Sequence, residues 1–370
     1  MSGHRANNLD FLRLIAAGMV VLGHSYILVG ERPHALLGHS VSTLAVLIFF
    51  SLSGYLIARS WMNDPHPLRF ALRRARRIWP ALILVVLVSV LVIGPLLTPL
   101  PFWQYITHAQ TIRYLGNIIF YAAYALPLVF ANHPLPHAVN GSLWTLPVEV
   151  AMYAMAPLLV WLGARRPLLL LATALAVGLF LVAMLLRPRE VVVLGTPFWA
   201  ASILAAFFVV GTAIAVLRME RWLDWRAGAA MLLALEYLPL PFWAQQGLLV
   251  LALPYAVLAL GLCAWRIPAA VSRMGDPSYG IYLWSFPVQQ LLIQAIGVQG
   301  GGALNFALSM PISLLLGLAS WHLLEKHVLG RGKAGQRAAP GTRQPSSSPA
   351  AWSAPAPPGA QAGGSETGAR

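Results

Sequence analysis

The sequence is poor in charged side chains and contains almost no cysteine. Of its 370 residues, 25 are Lys or Arg and 11 are Asp or Glu, so charged residues make up 10% of the chain. Soluble proteins carry about a quarter, whereas this chain is 58% hydrophobic with a mean hydropathy of +0.70. The composition excludes an ordinary soluble protein and indicates an all-α polytopic membrane protein. With Cys263 as the single cysteine, a disulfide framework and a cysteine-based metal site are also excluded.

Several catalytic signatures are missing as well. The ten histidines show no HExxH or comparable spacing, and the chain has no GxSxG elbow and no P-loop. Metal-dependent, serine-hydrolase and nucleotide-hydrolysing functions therefore lack support, and we expect no metal site and no permanently bound cofactor. The net charge of +14 does not indicate nucleic-acid binding, because the Lys and Arg residues fall between apolar runs, where they serve as topology signals.

The apolar runs predict about ten membrane-spanning helices. A helix needs about twenty apolar residues to cross a bilayer, and runs near that length occupy residues 9–29, 41–61, 80–98, 144–163, 167–186, 196–217, 228–245, 246–264, 278–297 and 303–324. The distribution of Lys and Arg then places both termini in the cytoplasm of a multi-pass protein of the inner (plasma) membrane. The segment 102–143 becomes an external loop with short interfacial helices, although Asn117 to Phe130 is apolar enough to be an eleventh span.

The same pattern divides the chain into two parts. Residues 1–330 form the predicted membrane domain, whose first apolar run, Leu9 to Gly30, we expect to be retained as a span and not cleaved as a signal peptide. Residues 331–370 are rich in Ala, Pro, Gly, Ser and Gln, a composition that buries too little apolar area to fold. They are predicted to be a disordered cytoplasmic tail.

The first span carries two ionisable residues, Arg13 and His24. Position 24 lies eleven residues after position 13, which is about 20° more than three helical turns. Both side chains therefore lie on one face of the helix, about 16.5 Å apart. Arg13 lies close enough to the predicted inner boundary to extend its charge into the interface, and His24 alone could be a hydrogen-bonded packing residue. Ionisable residues inside spans usually mark a pathway or a site, and a histidine near the outer third suits general-base catalysis on a hydroxyl.

A cluster of arginines precedes the apolar part of the third span. The segment RRARRIWP contains Arg73, Arg74, Arg76 and Arg77. The cluster either anchors topology and holds anionic lipid headgroups or clamps the phosphates of a cytosolic donor, since paired guanidinium groups bind phosphate well. Spacing alone does not separate the two alternatives.

The segment NGSLWTLPVE, Asn140 to Glu149, enters the fourth span from the predicted outer side. Glu149 would lie about 9 Å below the outer boundary and His24 about 8 Å below it. A carboxylate at that depth could orient the imidazole of His24 or stabilise its cation; alternatively, it pairs with another buried donor.

Two weaker signals remain. Glu236 lies in an apolar run and is best explained as a lone hydrogen-bonded glutamate. Tyr279 and Tyr282, in GDPSYGIYLWSFPV, fit an aromatic belt at the membrane interface as well as they fit a pocket wall.

These motifs together resemble the acyltransferase 3 family of bacterial integral membrane O-acyltransferases. The resemblance rests on LDFLRLIAAGMVVLGH, FFSLSGYLIA, RRARRIWPAL, NGSLWTLPVEVAMY and SYGIYLWSFPV, which occur in family order between residue 8 and about residue 330. It implies a ten-helix membrane domain that transfers an acyl group, commonly acetyl from acyl-CoA, to a hydroxyl of a glycan, a lipid-linked sugar or a macrolide sugar.

The resemblance also implies residue roles. His24 would be the catalytic base, Arg13 its companion and Glu149 the glutamate of the tryptophan-containing motif. Arg74 and Arg77 best match the RxxR pair of the family, with Arg73 and Arg76 as the alternative frame. Candidate substrate-binding residues are Ser142, Trp144 and Tyr282, which belong to the later motifs. The chain departs from the family at Ser285, where many relatives carry histidine.

Other functions use the same residues differently. A transporter of a glycan or an anionic metabolite could use the buried charges as a proton relay, and it would act without acyl-CoA. A non-enzymatic scaffold would leave the buried pair in the first span unexplained. The sequence leaves open the acceptor, the acyl chain length, the oligomeric state, and whether transfer is direct or passes through an acyl-enzyme.

Overall fold

The computed structural model describes residues 8–163, 165–186, 191–263 and 274–329. The predicted tail, 331–370, lies outside the described residues. The long helices are α1 (Asn8–Leu28), α2 (Val41–Asn63), α3 (Pro67–Val88), α7 (Leu146–Gly163), α8 (Arg166–Leu186), α9 (Phe198–Val216), α10 (Trp225–Tyr237), α11 (Phe242–Leu262), α12 (Ser278–Ile296) and α13 (Gly301–Ser320). Short helices α4 (Gly94–Leu97), α5 (Phe102–Ile106) and α6 (Ala109–Leu115) follow α3.

Each of the ten predicted runs contains a helix, but seven candidate spans are found among the described residues. They are Asn8–Leu28, Val41–Asn63, Pro67–Leu97, Gly141–Gly163, Phe198–Val216, Phe242–Leu262 and Gly301–Leu329. The protein is therefore a polytopic helical membrane protein. Helix α10 has 13 residues, or roughly 20 Å, less than the hydrocarbon core of about 30 Å.

The boundary between two predicted spans differs from the sequence estimate. The sequence predicts that Pro239, Pro241 and Gly247 separate runs 228–245 and 246–264, and in the structure α10 ends at Tyr237 and α11 begins at Phe242. Pro239 and Pro241 lie in the intervening turn, where neither can donate a helical hydrogen bond. The turn therefore lies at the two prolines, before Gly247.

The segment between α3 and α7 contains short helices and irregular chain. After α5 and α6, a 3₁₀ turn covers Gly116–Ile119, and another, Gly141–Thr145, leads into α7. Residues 120–140 form turns and bends, so Asn117 to Phe130 is not a spanning helix. Asn140 caps the second turn, since its side chain accepts a hydrogen bond from the backbone N–H of Ser142 at 3.1 Å.

The centre of the bundle is the contact between α2 and α9. A Cβ on Gly211 would lie 2.2 Å from the carbonyl oxygen of Ser51, and a Cβ on Gly54 would lie 2.0 Å from that of Phe208. The two backbones therefore touch where both helices carry glycine, as membrane helices do at small residues. Helix α1 packs on α2, α12 and α13, so its Arg13 and His24 lie among several elements.

The loops at the end of α1 that carries His24 contain two small hairpins. Strands β1 (Ala35–Leu36) and β2 (His39–Ser40) pair antiparallel, as do β3 (Val192–Val193) and β4 (Thr196–Pro197). Glu236 accepts a hydrogen bond from the backbone N–H of Leu37, at the tip of the first hairpin, at 2.6 Å. The prediction that Glu236 is a hydrogen-bonded structural glutamate is confirmed.

Candidate functional site

Two arginines and two carboxylates form an ion-pair network at the Arg13 end of the bundle. Nη1 of Arg13 and Nη2 of Arg77 each lie 2.6 Å from Oδ2 of Asp276. Nη1 of Arg77 lies 2.8 Å from Oε2 of Glu325, whose side chain is fully buried. The network thus ties α1 and α3 to the loop before α12 and to the chain that follows α13.

Asp276 is ionised at neutral pH. The hydroxyl of Ser278 donates to its Oδ1 at 2.5 Å. Burial by itself would raise the pKa of Asp276, but the charges of Arg13 and Arg77 and the hydrogen bonds of Ser278 outweigh it and lower the pKa to about 2. The aspartate therefore supplies a permanent negative charge that holds both arginines.

The four arginines predicted to clamp phosphate have different surroundings. Arg77 is neutralised by the carboxylate network, and Arg73 forms an ion pair with Asp64. Arg76 has no hydrogen bond or ion pair within the described part of the chain. Arg74 is half-buried and has no acidic partner there; its Nε has no hydrogen-bond partner, and its Nη2 donates to the hydroxyl of Ser60 at 3.5 Å. Because Arg74 and Arg76 have no acidic partner there, a phosphate group can bind them directly. It can bind Arg77 only by displacing a carboxylate.

Aromatic rings hold the Arg74 guanidinium. It lies 5.8 Å from the ring centre of Phe70 and 5.9 Å from that of Tyr153, which are cation–π distances. The same three residues line an apolar groove of about 340 Å³ that also contains Trp61 and Trp79. Arg74 therefore presents its charge beside an apolar surface.

Glu149 shares a small cavity with Arg13, and we call this space the Glu149 cavity. Its volume is about 50 Å³, and its wall includes Ser53, Tyr279 and Tyr282. The phenol of Tyr153, one turn further along α7, donates a hydrogen bond to Oε1 of Glu149. A space of this size holds one or two waters, since liquid water occupies about 30 Å³ per molecule.

The expected contact between Glu149 and His24 is absent. No hydrogen bond or ion pair joins the two residues in the part of the chain that the structure describes. Counting residues from a membrane boundary estimates the height of a side chain but not the direction in which it points. Glu149 instead points toward Tyr153 and the Arg13 end.

His24 keeps an unused nitrogen in a buried position. Its Nδ1 is shielded from solvent and has no hydrogen-bond partner among the described residues. Its ring meets the ring of Phe286 edge to face, with centres 5.3 Å apart. The next residue, Ser25, accepts a hydrogen bond from the side chain of Gln289 at 2.7 Å, and that side chain also reaches Val21. Buried polar atoms are normally satisfied, so an unpartnered imidazole nitrogen here is available to a substrate.

The predicted substrate-binding residues lie in three different settings. Tyr282 lines the Glu149 cavity, and its hydroxyl donates to the carbonyl of Ser142 at 2.8 Å. The hydroxyl oxygen of Ser142 is buried without a partner among the described residues. Trp144 lines a second, larger space. Ser285 is fully buried within α12.

We call this second space the Trp144 cavity. It has a volume of about 790 Å³ and lies among the loops at the His24 end, with aromatic side chains and two imidazoles in its wall: Tyr124, Trp144, Trp199, Phe242, His39 and His137. Val46 lines both cavities, so the two spaces adjoin. Phe286 connects His24 to the same region, since a Cβ on Gly141 of the cavity wall would lie 2.6 Å from the Phe286 ring.

Sequence reasoning missed three residues of this arrangement. Asp276 and Glu325 balance the buried arginines, and Tyr153 binds Glu149. The signal for the first two was electrostatic, because arginines inside an apolar bundle require counter-charges and the chain has only 11 acidic residues. Tyr153 lies four residues after Glu149, the spacing at which helix side chains meet.

Comparisons with known proteins identify a family and two similar proteins. A family described as an acyltransferase domain matches residues 6–322. The chain is 29% identical to an O-acetyl transferase of Shigella phage Sf6 over 89% of its length and 97% of that protein. It is also 29% identical to Nodulation protein 10 of Rhizobium leguminosarum bv. viciae, over 88% of its length and 93% of that protein. No solved structure is significantly similar to the chain.

Proposed function

Because the chain belongs to the acyltransferase 3 family, whose domain covers nearly all of it, we propose that this membrane O-acyltransferase moves an acetyl group from acetyl-CoA to a hydroxyl of a glycan. The glycan is a cell-surface or exported polysaccharide, a lipid-linked sugar or a glycosylated small molecule. The similar phage protein bears the name O-acetyl transferase, which supports acetyl as the transferred group. The observation that carries the proposal is the buried, unpartnered Nδ1 of His24 on the same helix as Arg13.

The donor enters at the Arg13 end. Arg74, which lacks an acidic partner among the described residues, binds a phosphate of CoA, because a guanidinium donates charge-assisted hydrogen bonds to phosphate oxygens. Arg76, half-exposed nearby, assists it. Arg77 holds Arg13 and the network in place through Asp276. This assigns the predicted arginine motif two tasks, phosphate binding and structural support.

The pantetheine arm then passes through the Glu149 cavity toward His24. Arg13 and His24 are about 16.5 Å apart along α1, so the arm must cover that distance with its thioester at the far end. The cavity is about 50 Å³, too small for the arm, so binding requires its tyrosine wall to move. Glu149 and Tyr153 border this passage and position the donor there.

His24 is the general base of the transfer. Its free nitrogen takes the proton of the acceptor hydroxyl while the hydroxyl oxygen attacks the thioester carbonyl carbon. The new C–O bond forms, the C–S bond breaks, and the imidazolium returns the proton to the departing thiolate. A neutral imidazole with a lone pair free for a proton is the required starting state, and the unpartnered Nδ1 supports it.

We further propose ten spans with both termini in the cytoplasm of the inner membrane. Helices occupy all ten predicted runs, and the positive-inside rule favours that orientation. The Arg13 end then faces the cytosolic pool of acetyl-CoA, and the Trp144 cavity faces the outside. Donor and acceptor thus approach from opposite sides of the membrane.

The proposal is tested with purified protein in liposomes. Radiolabelled acetyl-CoA is supplied together with a panel of polysaccharides, lipid-linked sugars and glycosylated macrolides, and each product is analysed for label. We expect alkali-labile label, the property of an O-ester, on one acceptor class. Protein that is folded by its melting curve but labels no acceptor, or that moves a glycan across the liposome membrane without acetyl-CoA, would contradict the proposal.

A further inference from the structure

The hairpin β1–β2 places His39 at the wall of the Trp144 cavity, directly after a strained turn. Its two central residues, Leu37 and Gly38, have φ angles of 55° and 77°, as a two-residue type I′ turn requires. Glycine adopts this conformation freely, whereas leucine does so rarely and with strain. Such strain persists only where the surroundings impose it, and it often marks a functional position.

Two polar side chains from α10 and α11 impose the turn. The carboxylate of Glu236 accepts a hydrogen bond from the backbone N–H of Leu37 at 2.6 Å. The amide nitrogen of Gln246, fully buried, donates to the carbonyl oxygen of Leu37 at 3.1 Å. Both backbone groups of the strained leucine are thus bound, and the next residues of the hairpin are fixed in place.

Gln246 also determines which nitrogen of His39 carries the proton. The amide nitrogen of Gln246 donates to Leu37, so Oε1 of Gln246, 2.6 Å from Nε2 of His39, is the hydrogen-bond acceptor. Nε2 therefore carries the proton, and Nδ1 of the neutral ring is left with a lone pair. Burial lowers the pKa of His39, against an opposing effect of the Gln246 hydrogen bond, so the ring is neutral at neutral pH. No partner for Nδ1 exists within the described residues.

We propose that the Trp144 cavity binds the acceptor glycan and that Nδ1 of His39 accepts a hydrogen bond from one of its hydroxyl groups. This inference rests on the proposed function and makes His39 a specificity-determining residue, distinct from the base His24. A cavity of about 790 Å³ is within the range of small-molecule sites, about 300 to 1,000 Å³. Its volume accommodates a short oligosaccharide unit.

The lining of the cavity fits a sugar better than a lipid chain. Aromatic faces from Trp144, Trp199 and Tyr124 can pack against the apolar C–H face of a sugar ring, while a few placed polar groups select its hydroxyls. A lipid tail has no hydrogen-bond donor for a histidine nitrogen whose lone pair is fixed by a buried amide. A hydroxyl-bearing ligand therefore explains why the side chains of Glu236 and Gln246 fix the hairpin.

The test separates acceptor binding from donor chemistry. Two activities are measured for each variant in liposomes: transfer of labelled acetyl to the acceptor, and hydrolysis of acetyl-CoA without acceptor. His39→Gln keeps a polar group near the Nε2 position but loses the Nδ1 acceptor, whereas His39→Asn keeps a carbonyl oxygen near Nδ1. We expect His39→Gln to raise the acceptor KM about three- to tenfold, the effect of one neutral hydrogen bond, and His39→Asn to raise it less.

Both variants should leave the acetyl-CoA KM and the hydrolysis rate within about twofold of the parent. His34→Gln, an exposed histidine of the same loop, is the matched control and should change neither activity. Ala200→Trp, whose indole would project into the cavity from its wall, should lower transfer and spare hydrolysis.

Two results would overturn the inference while leaving the proposed function intact. One is an unchanged acceptor KM in His39→Gln, and the other is normal transfer by folded Ala200→Trp protein. An acceptor KM that follows the lipid composition of the liposomes and not His39 would indicate a lipid in the cavity and would also overturn it. Absence of transfer by the parent protein would instead count against the proposed function.

Discussion

Replacing Asp276 with asparagine removes the charge that both Arg13 and Arg77 contact at 2.6 Å. The pKa of Asp276 falls from 3.8 to about 2, and each pKa unit corresponds to about 1.36 kcal/mol. The folded protein therefore favours the ionised carboxylate by about 2 kcal/mol. Breaking a buried pair can cost about 3 to 5 kcal/mol, but Arg77 retains Glu325, so we expect the smaller value.

The assay is thermal unfolding of detergent-solubilised protein. A loss of about 2 kcal/mol corresponds to a Tm lower by roughly 3 °C for a chain of this size. Because the folded-state pKa lies below that of the unfolded chain, the stabilisation is complete above about pH 5 and is lost as pH falls toward 2. The difference between Asp276→Asn and the parent should therefore shrink to about half at pH 3.

Asp64→Asn is the matched control. Asp64 also bridges two arginines, Arg69 and Arg73, but it lies at the surface, where ion pairs contribute little. We expect its Tm to equal that of the parent. If Asp276→Asn melts within about 1 °C of the parent at pH 7, the assignment of a stabilising network at the Arg13 end is refuted.

Three further predictions concern packing and donor binding. Gly211→Ala should prevent accumulation of folded protein, because its Cβ would lie 2.2 Å from a backbone oxygen of α2. Gly178→Ala, with nothing within 4 Å of its Cβ, should be neutral, and equal yields of the two variants in size-exclusion chromatography would contradict this. Arg74→Gln should raise the KM for acetyl-CoA roughly tenfold or more, the effect of a charged hydrogen bond, but leave turnover of acetyl-pantetheine, which lacks the nucleotide phosphates, unchanged; equal losses for both donors would exclude phosphate binding. Tyr153→Phe leaves Glu149 without its hydrogen-bond donor and should lower the kcat of transfer about tenfold, and an unchanged kcat would limit the pair to packing.

The sequence predicted the features that depend on composition and helical periodicity. The first helix contains both Arg13 and His24, as the apolar run required. A helix occupies each predicted span, and residues 102–143 contain only short helices and turns before α7. These properties follow from local patterns, which a single chain displays without reference to its partners.

Side-chain pairing could not be predicted in the same way. The depth argument joined Glu149 to His24, but depth says nothing about which neighbour a side chain faces, and Glu149 binds Tyr153 instead. The arginine motif offered a topology anchor or a phosphate clamp, and neither alternative included the network that joins Arg77 to Asp276 and Glu325 from far along the chain. Contacts over such sequence distances depend on the packing of several helices at once.

The strained turn at Leu37 is a second feature that could not be predicted from the sequence. Leucine carries no signal for a positive φ angle, and Gly38 alone did not identify a turn. The strain becomes understandable only with Glu236 and Gln246 in place, both of which come from helices about 200 residues further along. Glu236 was correctly expected to be hydrogen-bonded, but its partner, and hence its purpose, required the structure.

The central claim is that His24 removes the proton of the acceptor hydroxyl, and single-turnover transfer by His24→Ala protein tests it most directly. The variant is preloaded with labelled acetyl-CoA in liposomes and mixed with the acceptor identified for the parent, with His322→Ala as a control histidine at the opposite end of the bundle. We predict a transfer rate lower by about 10² to 10⁴, the usual contribution of a general base, with an unchanged Tm and acetyl-CoA affinity. A folded His24→Ala protein that transfers acetyl at the parental rate would contradict the account.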